Sequence, residues 1–214
     1  MSDRQKEIEI DVVSDTICPW CYMGKKQLEN AMKEKPDIKF TIRWHPFFLN
    51  PHTPKEGIPK MQYLNSMYGE SRVNVMHKQL DALGEKFGIK FNHSGMIVPT
   101  LDSHRLIEYA QTQGKQNEVV EALFHAYFVN AENINDRHVL QRIGEQAGLS
   151  KVKEFLNGHE FQQEVVHEDA EYKQRGIHGV PFFTISAPGK PRRLTLSGSQ
   201  PIEYFLDAFD ELTS

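Results

Sequence analysis

Alternation of apolar and polar residues with a period of two is confined to the two ends of this chain, so any sheet must be assembled from segments separated by most of the sequence. Near the start, Ile8, Ile10 and Val12 alternate with Glu9 and Asp11, and Ile38, Phe40, Ile42 and Trp44 alternate with Lys39, Thr41 and Arg43. A helix-like run between them ends near Pro36, giving a β-α-β unit that is most simply parallel and right-handed. Near the end, Phe182 to Ser186 and Arg193 to Ser197 flank a Pro188-Gly189 turn and read as a hairpin. A closing helix follows, with Ile202, Phe205, Leu206, Phe209 and Leu212 on one face.

Between these ends the pattern is helical. Pro46, Pro51, Pro54 and Pro59 first punctuate a loop, after which Met76, Leu80, Leu83 and Phe87 recur at helical spacing before a stop at Gly88. Apolar stripes continue at Leu106, Ile107 and Ala110, at Val120, Leu123, Phe124 and Tyr127, and at Val139, Leu140, Ile143 and Ala147, the last with Asp136 as cap. Shorter helices are expected near Ser150 to Asn157 and Phe161 to Arg175. These stripes read as core. The expectation is therefore an α/β chain in which residues 1–46 and 177–214 form one domain and residues 47–176 form a large all-helical insertion.

The only two cysteines stand in Cys18-Pro19-Trp20-Cys21, between the first strand and the first helix. A helix N-terminus carries unpaired amide donors and about half a positive charge, which stabilises a thiolate placed there. Cys18 is the expected nucleophile, and Cys21, one turn along, is placed to resolve a mixed disulfide. A structural zinc site needs two more ligands, and no second cysteine pair or histidine spacing supplies them, so no metal is expected. A staple closing so short a loop would remove little entropy from the unfolded chain.

Composition bounds the remaining functions. With 39% hydrophobic and 25% charged residues, 214 residues can bury a substantial core. A formal charge of −4 and the absence of a run of Lys or Arg argue against a nucleic-acid partner, and no apolar stretch is long enough to span a bilayer. The polar start, Met1-Ser-Asp-Arg-Gln-Lys-Glu, and two cysteines in one close pair lead to an expectation of catalysis in the cytoplasm.

Cys-Pro-x-Cys opening the first helix, with a proline just before the third strand, resembles the thioredoxin fold, and the long helical insertion resembles its DsbA family. Asp15-Thr-Ile-Cys18-Pro-Trp-Cys21-Tyr-Met-Gly24, the Trp44-x-Pro46-Phe47-x-Leu49-Asn50-Pro51 loop, Ser103-His104-Arg105-Leu106, Gly179-Val180-Pro181-Phe182-Phe183 and Ser197-Gly198-Ser199-Gln200-Pro201 are similar to the FrnE-like branch. The resemblance implies a cis peptide between Val180 and Pro181, with Pro181 facing the cysteines and the Val180 backbone pairing with an extended substrate. It also implies a thiol–disulfide oxidoreductase or isomerase acting on protein or small-molecule thiols and disulfides, without a bound cofactor.

Trp20 is a candidate docking surface or a residue folded onto the helical block, and His178 and Asp15 are candidate auxiliaries for proton transfer. Two other activities stay open. Kappa-class glutathione transferases and 2-hydroxychromene-2-carboxylate isomerases share the superfamily, usually with Ser at the position of Cys18, so glutathione is a candidate redox partner, and Ser199 with Gln200 either meets its anionic groups or simply caps the last helix. A partner-binding or chaperone-like module using the groove beside the insertion is the third reading.

Overall fold

The computed structural model describes residues 6–214; the polar segment Met1 to Gln5 lies outside the described residues. Strand β1 (Lys6–Ser14), helix α1 (Pro19–Lys33) and strand β2 (Ile38–Pro46) form the expected β-α-β unit, and β1 and β2 are parallel, with Ile8 opposite Phe40 and Val12 opposite Trp44. At the other end, β5 (Phe182–Ser186) and β6 (Arg193–Ser197) form the hairpin, followed by α9 (Ile202–Thr213). The sheet order is β2-β1-β5-β6, with β5 antiparallel to β1 and Ile10 opposite Ile185.

Strand β1 lies inside the sheet, paired with β2 on one edge and β5 on the other, and its Ile8, Ile10 and Val12, which share one face, are sealed from solvent. Helices α1 and α9 pack together, and Phe205 and Phe209 of α9 reach Phe183 of β5 and Phe40 of β2, at centroid distances of 5.0 and 4.8 Å. Edge strand β2 is protected by a side chain that imitates a strand: the Gln116 amide accepts from Trp44 N at 2.8 Å and donates to Trp44 O at 3.0 Å.

The segment between the two sheet-forming ends contains α2 (Lys60–Tyr68), α3 (Glu70–Glu85), α4 (Leu101–Gln111), α5 (Gln116–Phe128), α6 (Arg137–Gln146), α7 (Val152–Asn157) and α8 (Gln162–Gln174). Asp136 caps α6 as expected, accepting a hydrogen bond from His138 N at 2.8 Å. Two features depart from the sequence reading. Helix α2 begins directly after Pro59, where the prolines suggested only loop. The insertion also carries a two-residue antiparallel ladder, β3 (Ile58–Pro59) with β4 (Met96–Ile97), too short to leave an alternation in the sequence.

A close approach brings the first helix against the hairpin. A Cβ at Gly24 would lie 3.0 Å from both the Pro181 ring and the Phe183 ring, so α1 packs here only because that residue has no side chain.

Candidate active site

Helix α1 starts with Cys18 as N-cap, Pro19 at the first helical position and no acidic residue in the first turn. Proline suits that place because its fixed φ matches the helix and its missing N–H has no partner there to lose. The Cys18 carbonyl accepts from Cys21 N at 3.1 Å and Tyr22 N at 3.4 Å, closing the first turn, and Cys18 N donates to Asp15 O at 3.0 Å. Both cysteines are free thiols. The positive end of α1 is thus left uncancelled beside the Cys18 sulfur.

The two sulfurs differ in surroundings. Cys18 lines a cavity, whereas Cys21 is sealed at 0% exposure. Burial pushes the Cys21 thiol well above its usual range, and the hydrogen bond and charge of Cys18 push it further, while Ser14 and the Asp15 backbone oppose the shift. Cys21 is therefore held as a thiol in the reduced pair, and Cys18 is the sulfur that faces the cavity.

Opposite the thiols lies the loop before β5. The Val180–Pro181 peptide is cis. The Cys18 thiol donates to the Val180 carbonyl at 3.6 Å, and the Pro181 carbonyl accepts from Gly198 N at 2.8 Å. The approach of Pro181 to Gly24 brings this loop beside α1.

The turn leading from β1 to Cys18 is anchored from beneath. Asp15 is sealed from solvent; its carboxylate accepts from Leu49 N at 2.8 Å and its other oxygen lies 3.3 Å from Nε2 of His104, itself buried on α4. Thr16 and Ser103 hydroxyls meet at 2.8 Å, and Ser103 donates to Thr100 O at 2.8 Å. The insertion thereby fixes the backbone that presents Cys18. His104, which the sequence marked only as part of a motif, contributes through this contact with Asp15.

Trp20 is half-buried, packs on the core and forms part of the cavity wall. His178 is exposed and does not line that cavity. Ser199 donates to the Gln27 side chain on α1 and Gln200 donates to Ser197 O at 2.6 Å, so neither caps α9, whose N-cap is Pro201. Among the described residues no group of three His, Cys, Asp or Glu side chains is arranged to hold a metal ion.

The cavity measures about 430 Å³ and lies between the cysteine turn, Gly179 and Val180 on one side and the insertion on the other. Its walls are mostly apolar and aromatic, including Tyr63, Leu64, Phe91 and Phe128. Lys60 and the histidines His77 and His93 also line it, and none of the three stood out in the sequence. Among the described residues no helix is long and apolar enough to cross a membrane.

Comparison with known proteins places this geometry. The DSBA-like thioredoxin domain family matches residues 9–210. The Bacillus subtilis (strain 168) protein YwbO, described as uncharacterized, is 28% identical, covering 83% of this chain and 86% of its own. Among solved structures, the probable DsbA oxidoreductase SCO1869 from Streptomyces coelicolor superposes with a TM-score of 0.84 at 26% identity, covering 96% of this chain and 89% of that one. The fold is also shared by a 2-hydroxychromene-2-carboxylate isomerase, at a TM-score of 0.68 and 14% identity over 95% of each chain. The cytosolic disulfide reductase DsbM from Pseudomonas aeruginosa, solved with GSH, shares it at a TM-score of 0.63 and 18% identity, covering 95% of this chain and 100% of that one.

Proposed function

We propose that this chain, which belongs to the DSBA-like thioredoxin domain family, is a thiol–disulfide oxidoreductase working through the Cys18-Pro19-Trp20-Cys21 dithiol. The observation that carries this reading is the asymmetry of the two free thiols, one in the cavity wall at a helix N-terminus and the other sealed behind it.

In the reducing direction the Cys18 thiolate attacks a substrate disulfide, forming a mixed disulfide and releasing one substrate thiolate. Cys21 then loses its proton and attacks Cys18 Sγ, releasing the second substrate thiolate and leaving a Cys18–Cys21 disulfide. Once Cys18 is bonded to substrate it carries no charge and no longer accepts a hydrogen bond from the Cys21 thiol as a thiolate does. Of the three influences that raise the Cys21 pKa, only burial then remains, so formation of the mixed disulfide itself readies Cys21 for the second step.

In the oxidising direction the same bonds form and break in reverse. About 30 mV, equivalent to roughly 1.4 kcal/mol, changes the preferred direction tenfold. Val180 and Pro181 are read as the platform for an extended substrate, Trp20 as its apolar contact and Asp15 as the anchor of the attacking turn, with His178 at most a solvent-side proton carrier. Protein or small-molecule disulfides are the substrates in this reading, glutathione is a fitting electron partner, and a reducing cytoplasm fits two cysteines kept in one exchange pair.

The decisive measurement is turnover of a disulfide with dithiothreitol as reductant. Cys18→Ser is expected to abolish it, and Cys21→Ser to accumulate mixed disulfides visible by mass. Turnover surviving Cys18→Ser would overturn the proposal.

A further inference from the structure

Helix α2 brings to the cavity a cation that disulfide exchange does not use. Lys60, its first residue, is 7% exposed, and its ammonium lies 4.1 Å from the centroid of the Tyr127 ring and 5.8 Å from that of Phe128. None of the ion pairs among the described residues includes it. Burial alone acts on its basicity, lowering the pKa to about 8, so no nearby carboxylate offsets the loss of hydration.

An ammonium taken out of water is costly unless something replaces the water, and the aromatic faces of Tyr127 and Phe128 replace only part of it. The other polar groups at that end are engaged with one another rather than with Lys60. His77 senses the Lys60 charge and stacks on His93 at 3.8 Å, while Asp81, the neighbouring carboxylate, lies 2.8 Å from His93. The rest of the cavity wall, through Leu64, Phe91 and Phe128 to Cys18 and Trp20, is suited to an apolar body.

We infer that this cavity is a binding site for a small apolar carboxylate, with the carboxylate paired to Lys60 and the hydrophobic body lying between the aromatic wall and Cys18. A cationic, largely apolar cleft of this kind fits an anionic ligand that carries its own hydrophobic surface, because the single charge is matched and little else needs hydrogen bonding. That the natural occupant also presents a thiol or disulfide to Cys18 rests on the exchange reading; the preference for an apolar acid does not.

The test is calorimetric titration of the full reduced protein with 2-naphthoate and with its neutral analogue 2-naphthamide. Naphthoate is expected to bind at least tenfold more tightly than naphthamide. Lys60→Met should erase that preference and Lys60→Arg should keep most of it, while near-ultraviolet circular dichroism verifies that both variants are folded. In the unmodified protein, saturating naphthoate should also slow alkylation of Cys18 by iodoacetamide severalfold, a readout that stands even if a variant fails to fold.

Equal affinity for the two ligands, no binding of naphthoate at millimolar concentration, a preference that persists in Lys60→Met, or undiminished alkylation would overturn the assignment. None of these titrations involves turnover. Failure here is therefore distinct from failure of the exchange reading, which shows as cysteine-independent turnover with dithiothreitol.

Discussion

Two lysines in this molecule are removed from water, Lys25 at 1% exposure and Lys60 at 7%, and the regions that hold them treat the charge in opposite ways. Lys25 sits in the seam between α1 and α5, bonded to Glu29 and, at 2.7 Å, to Glu121; Tyr22 also donates to Glu121 at 3.2 Å. The seam between β2 and α8 follows the same pattern, with His45 held 2.6 Å from Glu168 and 2.8 Å from Asp11. Where the insertion meets the sheet domain, each buried cation is thus matched by carboxylates and joins two elements. At the cavity the match is missing, and the charge is left for something from outside the chain.

The largest effect expected from this contrast concerns Lys60. A pKa of about 8 in place of 10.5 corresponds to a native-state penalty of about 3 kcal/mol, present below pH 8, where both folded and unfolded forms are charged. The penalty falls as pH rises from 8 to 10.5 and is gone where both forms are neutral. Lys60→Met should therefore stabilise the protein at pH 7 and lose much of that advantage by pH 9.5, as read from urea denaturation at the two pH values. A constant difference, or destabilisation at pH 7, would break the contrast.

Lys25→Met should act with the opposite sign. It leaves Glu29 and Glu121 without their buried partner, and because both carboxylates reach solvent and Lys26 stays near, the cost is about 2 kcal/mol rather than the full cost of an orphaned interior charge. Thermal denaturation of the two single variants and the double variant would also show whether the sites are independent.

The smallest effect belongs to His45. Burial lowers its pKa, but the hydrogen bonds that the ring donates to the Asp11 and Glu168 carboxylates outweigh that and raise it overall. The protonated ring is thus favoured in the native state, so its contribution is complete below the unfolded value near 6.5 and is lost as pH rises through the higher folded value. His45→Gln should remove a stability slope on the alkaline side of pH 6.5 worth on the order of 1 kcal/mol, the size of one charge-assisted hydrogen bond. An unchanged slope would assign that pH dependence to another titrating group.

The sheet was legible because its strands announce themselves locally. Ile8, Ile10 and Val12 alternate, and Phe182 to Ser186 and Arg193 to Ser197 stand either side of a turn, so both the element order and the place of the cysteine pair could be read directly. Helix α2 was hidden by its own short length and by the prolines before it, although Lys60, Tyr63, Leu64 and Met67 do recur at helical spacing. Lys60 and His104 were illegible for a different reason. Both are polar residues whose burial is decided by distant segments, Lys60 by Tyr127 and His104 by Asp15, and no local pattern records which charged side chain the tertiary fold will enclose.

Gly24 ties the two halves of the site together through what it lacks. The cysteine helix and the Pro181 loop meet as backbone against ring, with no side chain between them to yield. One added methyl group at this position would therefore be felt on both sides of the dithiol at once, as a displacement of the helix against the loop.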